Sequence, residues 1–141
     1  MSITDRAAIR AEISALFDSI TAVEENLAYP PLALEGKSPV LYLHTNGTLP
    51  IMLSRHANQV DHQFIVTVAV NRQRHGADEA ENVLDEVWTA VTQAIRTTPT
   101  GVSYMSLVMD NQRSTPYFAT VDGIAYRFEE IYLTARSNIT G

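Results

Sequence analysis

The residues that could do metal chemistry in this chain are four histidines, His44, His56, His62 and His75. No two of them have the i, i+4 spacing that lets two imidazoles on one helix share a metal ion. His56 and His62 flank one irregular segment beside Asp61, so a metal site there is an alternative to exposed loop histidines. Cysteine is absent, which excludes thiolate metal sites, disulfides and a cysteine nucleophile. We therefore expect no metal and no cofactor.

Two adjacent carboxylates, Glu129 and Glu130, are the candidates for acid–base chemistry. They fall in a predicted strand, where successive side chains point to opposite faces of the sheet. They can converge on one substrate only if a bulge redirects one of them. Serine, histidine and aspartate are all present, but no nucleophile elbow occurs. The sequence thus predicts no catalytic residues and favours a structural or binding protein over an enzyme.

A small basic turn is formed by Arg72, Arg74 and His75 on a chain of net charge −6. Tight, non-specific nucleic-acid binding needs clustered cations, which an acidic chain supplies poorly. A phosphate contact at this turn is one interpretation, and a solvated turn or subunit salt bridge is the simpler one. The basic residues are nine arginines and the single lysine Lys37. Arginine suits bidentate pairing at interfaces, so this bias indicates subunit contacts.

These residues are positioned by elements organised around a strand and the helix that follows it. Residues 64–70 are apolar on both faces, so we expect this strand to be central or to be covered by another chain. The helix, from Ala77 to about Ile95, has one apolar stripe at three- and four-residue spacing. Trp88 lies on that stripe and is predicted to anchor the helix to the sheet. Asp78 and Glu81 resemble a capping box at its start.

The N-terminal half contains a helix, a connector and a strand. An amphipathic helix is predicted from Ile3 to about Glu25, followed over residues 26–38 by an apolar connector that contains two prolines. A strand is predicted over residues 39–44. The Asn46-Gly47 pair predicts a hairpin turn, after which Pro50 allows only an edge strand.

Three strands are predicted after the central helix, over residues 104–109, 117–121 and 124–135. The apolar parity changes within the last of them, which a bulge near Glu129 and Glu130 would explain. The order α, β, (β), β, α, β, β, β predicts one α+β domain over residues 1–141, with a mostly antiparallel sheet flanked by two amphipathic helices. No apolar run approaches the ~20 residues that span a bilayer, so we expect no membrane partner.

The order, length and patterning of these elements resemble the tail terminator (tail completion) proteins of long-tailed bacteriophages. The resemblance covers nearly the whole chain and contains no invariant motif. Its matching features are the N-terminal helix Ile3 to Glu25, the Pro30-Pro31 connector, the strand Pro39 to His44, the polar excursion Leu53 to Gln59, the pattern Asp61 to Val68 with its following helix, and the C-terminal strands ending in Phe128 to Leu133.

This resemblance implies a structural virion protein at the head–tail interface, assembled in the host cytoplasm. Such proteins form a ring, commonly a hexamer, that caps the tail tube, ends tail polymerisation and joins the tail to the head connector. The implied partners are other copies of the chain, the tail tube protein and a head–tail connector or neck protein. DNA would pass through the channel without specific binding, which an acidic chain suits.

The best candidates for interface residues are arginines in predicted turns and two apolar residues of the connector. They are Arg55, Arg72, Arg74, Arg113, Tyr29 and Leu32.

Two alternatives remain open. One is another virion station, either a head–tail neck adaptor or a tail-tube protein. The other is a small α+β enzyme or ligand-binding domain, with an apolar pocket between helix and sheet and a closed polar site built from His62, Tyr104 and Tyr126.

Overall fold

A six-stranded sheet with helices on one face makes up the part of the chain that the computed structural model describes, residues 6–53, 58–110 and 113–139. The predicted α+β class is confirmed. In chain order the elements are α1 (Arg6–Leu16), β1 (Glu25–Leu27), β2 (Val40–Leu53), β3 (Asn58–Asn71), the short α2 (Arg72–His75), α3 (Ala77–Thr97), β4 (Ser106–Met109), β5 (Thr115–Val121) and β6 (Ile124–Ile139).

The sheet has the order β1-β2-β3-β6, and both β4 and β5 pair with the far edge of β6. Neighbouring strands are antiparallel, except that β1 runs parallel to β2. The pairing of β3 with β6 is the longest, running from Asn58↔Ile139 to Asn71↔Tyr126 without a register shift. The prediction that residues 64–70 form a central strand is therefore confirmed.

Apolar side chains are buried on both faces of the sheet. On the first face, the amphipathic stripes of α1 and α3 pack against alternate residues of β3 such as Phe64, Val66 and Val68. Trp88 is partly buried against this cluster, as predicted. On the second face, Leu34 of the connector packs in a smaller cluster with strand residues that include Phe128. Each fully buried aliphatic or aromatic side chain contributes about 1.5–3 kcal/mol to folding.

The first helix is shorter than predicted, because α1 ends at Leu16 rather than near Glu25. The side-chain amide of Asn26 donates a hydrogen bond of 2.8 Å to the carbonyl oxygen of Ser14 and another to Asp18 Oδ1. This amide satisfies a carbonyl group that the end of a helix leaves without an intrahelical partner. The chain then turns, and Glu25–Leu27 joins the sheet as β1.

The hairpin turn predicted at Asn46-Gly47 is wrong, because β2 continues through it to Leu53. The pairing with β3 shifts register between Thr45 and Gly47, which is a β-bulge. Gly47 has φ of 124°, a conformation that glycine adopts at no steric cost. The bulge lets β2 keep its hydrogen bonds to β3 beyond Gly47, whereas a turn would end that pairing. Residues 54–57, which contain most of the predicted polar excursion, lie outside the described residues.

The bulge predicted near Glu129 and Glu130 is also wrong, since β6 pairs in continuous register with β3 and β5 at these positions. The change of apolar parity has another cause. Tyr126 and Phe128 are buried on the second face, whereas Ile131 and the alternate residues after it are buried under the helices. One regular strand therefore contributes to two cores, one with each half of its length.

The predicted helix after the central strand is confirmed as α3, Ala77–Thr97, but the capping box of Asp78 and Glu81 is wrong. The N-cap of α3 is Gly76, and no side chain caps it. Instead, the side chain of Asn71 accepts two backbone hydrogen bonds at the start of α2, one turn earlier. The side-chain cap thus lies at the end of β3, where the chain changes direction.

Candidate functional site

The connector between β1 and β2 exposes two large apolar side chains. Tyr29 is 59% exposed and Leu32 is fully exposed, at 108% of its reference area. We call Tyr29, Pro30, Pro31 and Leu32 the connector surface. Behind it, a shallow groove of about 160 Å³ reaches down to the second face of the sheet. Both of the connector residues predicted to form an interface are therefore accessible to a partner.

The sheet beneath the connector is apolar and aromatic. The rings of Tyr117 and Phe128 stack with their centroids 5.0 Å apart. Burial raises the pKa of Tyr117 to about 12, with the neighbouring Tyr42 and Glu130 adding smaller effects. The strand residues that line the groove are Tyr42, Val121 and Phe128, and burial raises the pKa of Tyr42 as well. The groove can therefore hold apolar groups without a charge to desolvate.

The far end of the connector is fastened to the sheet at Ser38, which is buried. Ser38 Oγ accepts the backbone N–H of Asn71 at 2.9 Å and lies 2.9 Å from His75 Nε2. Which of these two atoms donates to the other depends on the tautomer of His75. The side-chain amide of Asn71 also donates to the carbonyl oxygen of Gly36 at 3.1 Å. The connector therefore has a fixed path across the sheet.

This serine–histidine pair is the arrangement nearest to a nucleophile and its base in the described residues. Ser38 Oγ has two hydrogen-bond partners within the fold, the backbone N–H of Asn71 and His75 Nε2, and the side chain is buried. This geometry indicates a structural contact that holds the end of the connector against β3 and α2. Sequence reasoning missed it, because the two residues are 37 positions apart and no local motif joins them.

The basic turn after β3 directs its arginines to partners in the same chain. The guanidinium carbon of Arg72 lies 4.9 Å from the ring centroid of Phe118, and that of Arg127 lies 4.2 Å from the same centroid. Arg74 Nη1 forms an ion pair of 2.5 Å with Glu24 Oε2. The backbone N–H of Ser38 and then Arg74 hold the pKa of Glu24 below its usual value. This turn therefore presents fewer free cations than its sequence indicates.

A second exposed apolar surface lies at the opposite end of the fold, around β4. Val102 is 99% exposed and Val108 is 53% exposed, and Met105 lies between them in sequence. Next to them, the end of α3 and β4 form a groove of about 430 Å³, which we call the β4 groove. It is lined by Ile95, Arg96, Pro99, Leu107, Val108 and Met109.

The β4 groove was not predicted from the sequence, although one weak signal for it is present. Apolar residues occupy both parities of the stretch Met105 to Met109, while β4 has only one face available for the core. Leu107 is buried and Val108 is exposed, which is the alternation of a strand at a sheet edge. An apolar residue on the outer face of this edge strand, Val108, is the sequence feature that the core does not explain.

The loop that bears Val102 is tied to α1 by Glu12. Its carboxylate accepts the backbone N–H groups of Val102 at 2.5 Å and Ser103 at 2.9 Å. Burial acts to raise the pKa of Glu12, but these two hydrogen bonds outweigh it and hold the pKa below its usual value. A Cβ atom at Gly101 would lie 2.5 Å from Glu12 Oε1, so the loop passes this carboxylate where only glycine fits.

The other predicted site residues are not brought together. Arg113 is exposed just before β5, and Arg55 lies outside the described residues. The alternative polar site is not assembled, because Tyr104 belongs to the core under the helices and Tyr126 to the core on the second face. His62 is buried and its Nδ1 lies 3.2 Å from Thr48 Oγ1.

Within residues 6–53, 58–110 and 113–139, no three histidine or acidic side chains form a group that could hold a metal ion. The alternative involving His56 lies outside these ranges. In the same part of the chain, no helix is both long enough and apolar enough to cross a membrane. No model of a known protein family matches the chain, and a search of curated proteins finds no relative.

Proposed function

We propose that this chain is a structural subunit of a phage tail, similar to the tail terminators. It forms a ring that caps the tail tube, ends tail polymerisation and joins the tail to the head connector. The observation that carries this proposal is the presence of two separate exposed apolar surfaces on one subunit, the connector surface and the β4 groove. A ring of identical subunits needs two different patches on each subunit, because every contact joins one patch to the other.

The chemistry of the two surfaces supports an interaction role. Single exposed apolar residues are common, but clusters of large ones beside a groove are typical of protein–protein contact sites. The connector surface combines tyrosine, leucine and two prolines, and the connector is anchored just after it by the buried Leu34 and Ser38. A rigid surface loses less conformational entropy on binding than a mobile loop does.

The charge of the chain supports passage of DNA rather than binding. At −6, the net charge repels the phosphate backbone, and the arginines of the basic turn are occupied by Glu24 and Phe118. The partners we propose are other copies of the chain, the tail tube protein and a head–tail connector. The proposed location is the virion, at the head–tail interface.

Light scattering over a concentration series, with negative-stain images of each species, tests this function. We expect rings of about six subunits, or monomers that form one ring on the end of added tail tubes. A tail-tube protein would instead grow long polymers alone, and a neck adaptor would bind connectors but not tube ends. A monomer at every concentration that never binds tube ends contradicts the proposal.

A further inference from the structure

We infer that Leu32 of one subunit inserts into the β4 groove of a second copy of this chain. This inference rests on the proposed function and specifies which two surfaces meet in the ring. It commits to the chain itself as the occupant of the groove.

The shapes of the two surfaces are complementary. Leu32 projects fully into solvent from a proline-bounded segment, so it is the most exposed large apolar side chain in the described residues. The β4 groove is an apolar recess of about 430 Å³, which has room for a leucine side chain. Burying a leucine that is otherwise fully exposed contributes about 1.5–3 kcal/mol, which makes it suitable as the central anchor of an interface.

The charges beside the two surfaces are complementary as well. Glu35 follows Leu32 by three positions, and its side chain is 70% exposed. Its contact with Lys37 is long, at 4.0 Å, because Lys37 pairs with Glu25 at 2.9 Å. Arg96 lines the groove, is exposed and has no ion pair within the described residues. The carboxylate of Glu35, which has only a long ion pair, is thus close in sequence to Leu32. The guanidinium of Arg96, which has no ion pair in the described residues, belongs to the β4 groove.

The contact is directional, because the projecting residue and the recess are built from different elements. Leu32 belongs to the connector after β1, whereas the groove belongs to the end of α3 and to β4. A contact of this kind leaves one unused surface at each end of a dimer. It must therefore continue until it closes into a ring or grows into a filament.

Cysteine cross-linking tests the inference without background, since the chain contains no cysteine. Separately tagged Leu32→Cys and Val108→Cys proteins are mixed and oxidised, and we expect a disulfide-linked heterodimer. Each variant alone is expected to give little covalent dimer, because equivalent residues are not adjacent in a directional contact. The matched control is Leu49→Cys, which is exposed on β2 outside both surfaces. Cross-linking of Leu32→Cys to Leu49→Cys as efficiently as to Val108→Cys overturns the inference.

Charge reversal gives a second, independent measurement. Glu35→Arg and Arg96→Glu are each expected to weaken self-association about two- to fivefold, as for an exposed ion pair, and the double variant is expected to restore it. If wild-type protein caps tail tubes but shows neither the cross-link nor the rescue, this inference is wrong and the proposed function stands. If wild-type protein neither forms rings nor binds tube ends, the proposed function itself is wrong.

Discussion

The carboxylate of Glu12 holds the loop at Val102 through two backbone hydrogen bonds that span 90 positions of sequence. This contact joins the first helix to the loop beside the β4 groove. Glu12 is therefore a positioning residue for a surface that it does not itself form. Its effect on folding and its effect on assembly can be measured separately.

Replacing Glu12 by glutamine should destabilise the fold by about 0.5–1.5 kcal/mol, since two charge-assisted hydrogen bonds become weaker. The folded-state pKa of Glu12 is lowered, so its stabilising effect is complete above the ordinary value of 4.5 and is lost as pH falls through the folded value. Urea denaturation of wild type and Glu12→Gln should therefore show a difference at pH 7 that shrinks below pH 4.5. Glu86→Gln, exposed in the middle of α3, is the control. An equal effect of both substitutions would contradict the proposed role.

Replacing Gly101 by alanine should destabilise the fold by about 1–3 kcal/mol, the usual cost of overpacking. The added Cβ atom would meet Glu12 Oε1 at 2.5 Å and the ring of Tyr104 at 2.6 Å. Thermal unfolding of Gly101→Ala checks this, with the neighbouring exposed Thr100→Ala as the control. If Gly101→Ala unfolds at the wild-type temperature, the close approach of the loop to Glu12 is wrong.

Stability should fall on mild acidification because of His62. Burial lowers its pKa, the nearby Arg6 lowers it further, and Asp61 opposes the change. The unfolded chain therefore takes up the proton first, and stability is lost as pH falls from the ordinary value of 6.5 towards the folded value. Unfolding free energies of wild type should decrease over this window, and those of His62→Gln should change less. Parallel curves for the two proteins would show that His62 does not titrate in this way.

Replacing Ser38 by alanine should cost about 1–3 kcal/mol, because the buried N–H of Asn71 loses its acceptor. The same residue tests the enzymatic alternative. Since Ser38 is buried and its Oγ contacts Asn71 and His75 within the fold, we expect no labelling by an organophosphorus probe for nucleophilic serines. Denaturation of Ser38→Ala and mass spectrometry of probe-treated wild type are the two measurements. Stoichiometric labelling at Ser38 would support a catalytic serine instead.

The elements that were predicted best from the sequence are those whose secondary structure is determined by residues close together in the chain. The apolar stripe of α3 and the two-sided strand β3 each depend on residues that are close in sequence. The predictions at Asn46-Gly47 and at Glu129 failed because pairing with β3 decides both positions. A glycine in a strand can serve a turn or a bulge, and the choice depends on whether a partner strand continues alongside it.

The candidate surfaces were predictable in part. The exposure of Tyr29 and Leu32 was expected, since an apolar connector rich in proline crosses the surface. The β4 groove was not expected, because it joins the end of α3, at Thr97, to β4, which begins at Ser106 after a loop of eight residues. Arg72 and Arg74 were expected to be free for partners, and their actual partners, Phe118 and Glu24, are about 50 positions away in sequence.

The division of β6 between two cores has a consequence for how the chain is made. Neither apolar cluster is complete before Phe128 and Ile131 arrive. Strand β3 can pair with β2, which precedes it, but its second partner begins 55 positions after Asn71, at Tyr126. Such non-local pairing is slow to form, so both cores stay incomplete until β6 has left the ribosome. During synthesis, this interval is when the nascent subunit is most exposed to aggregation, and we expect chaperone dependence to be greatest then.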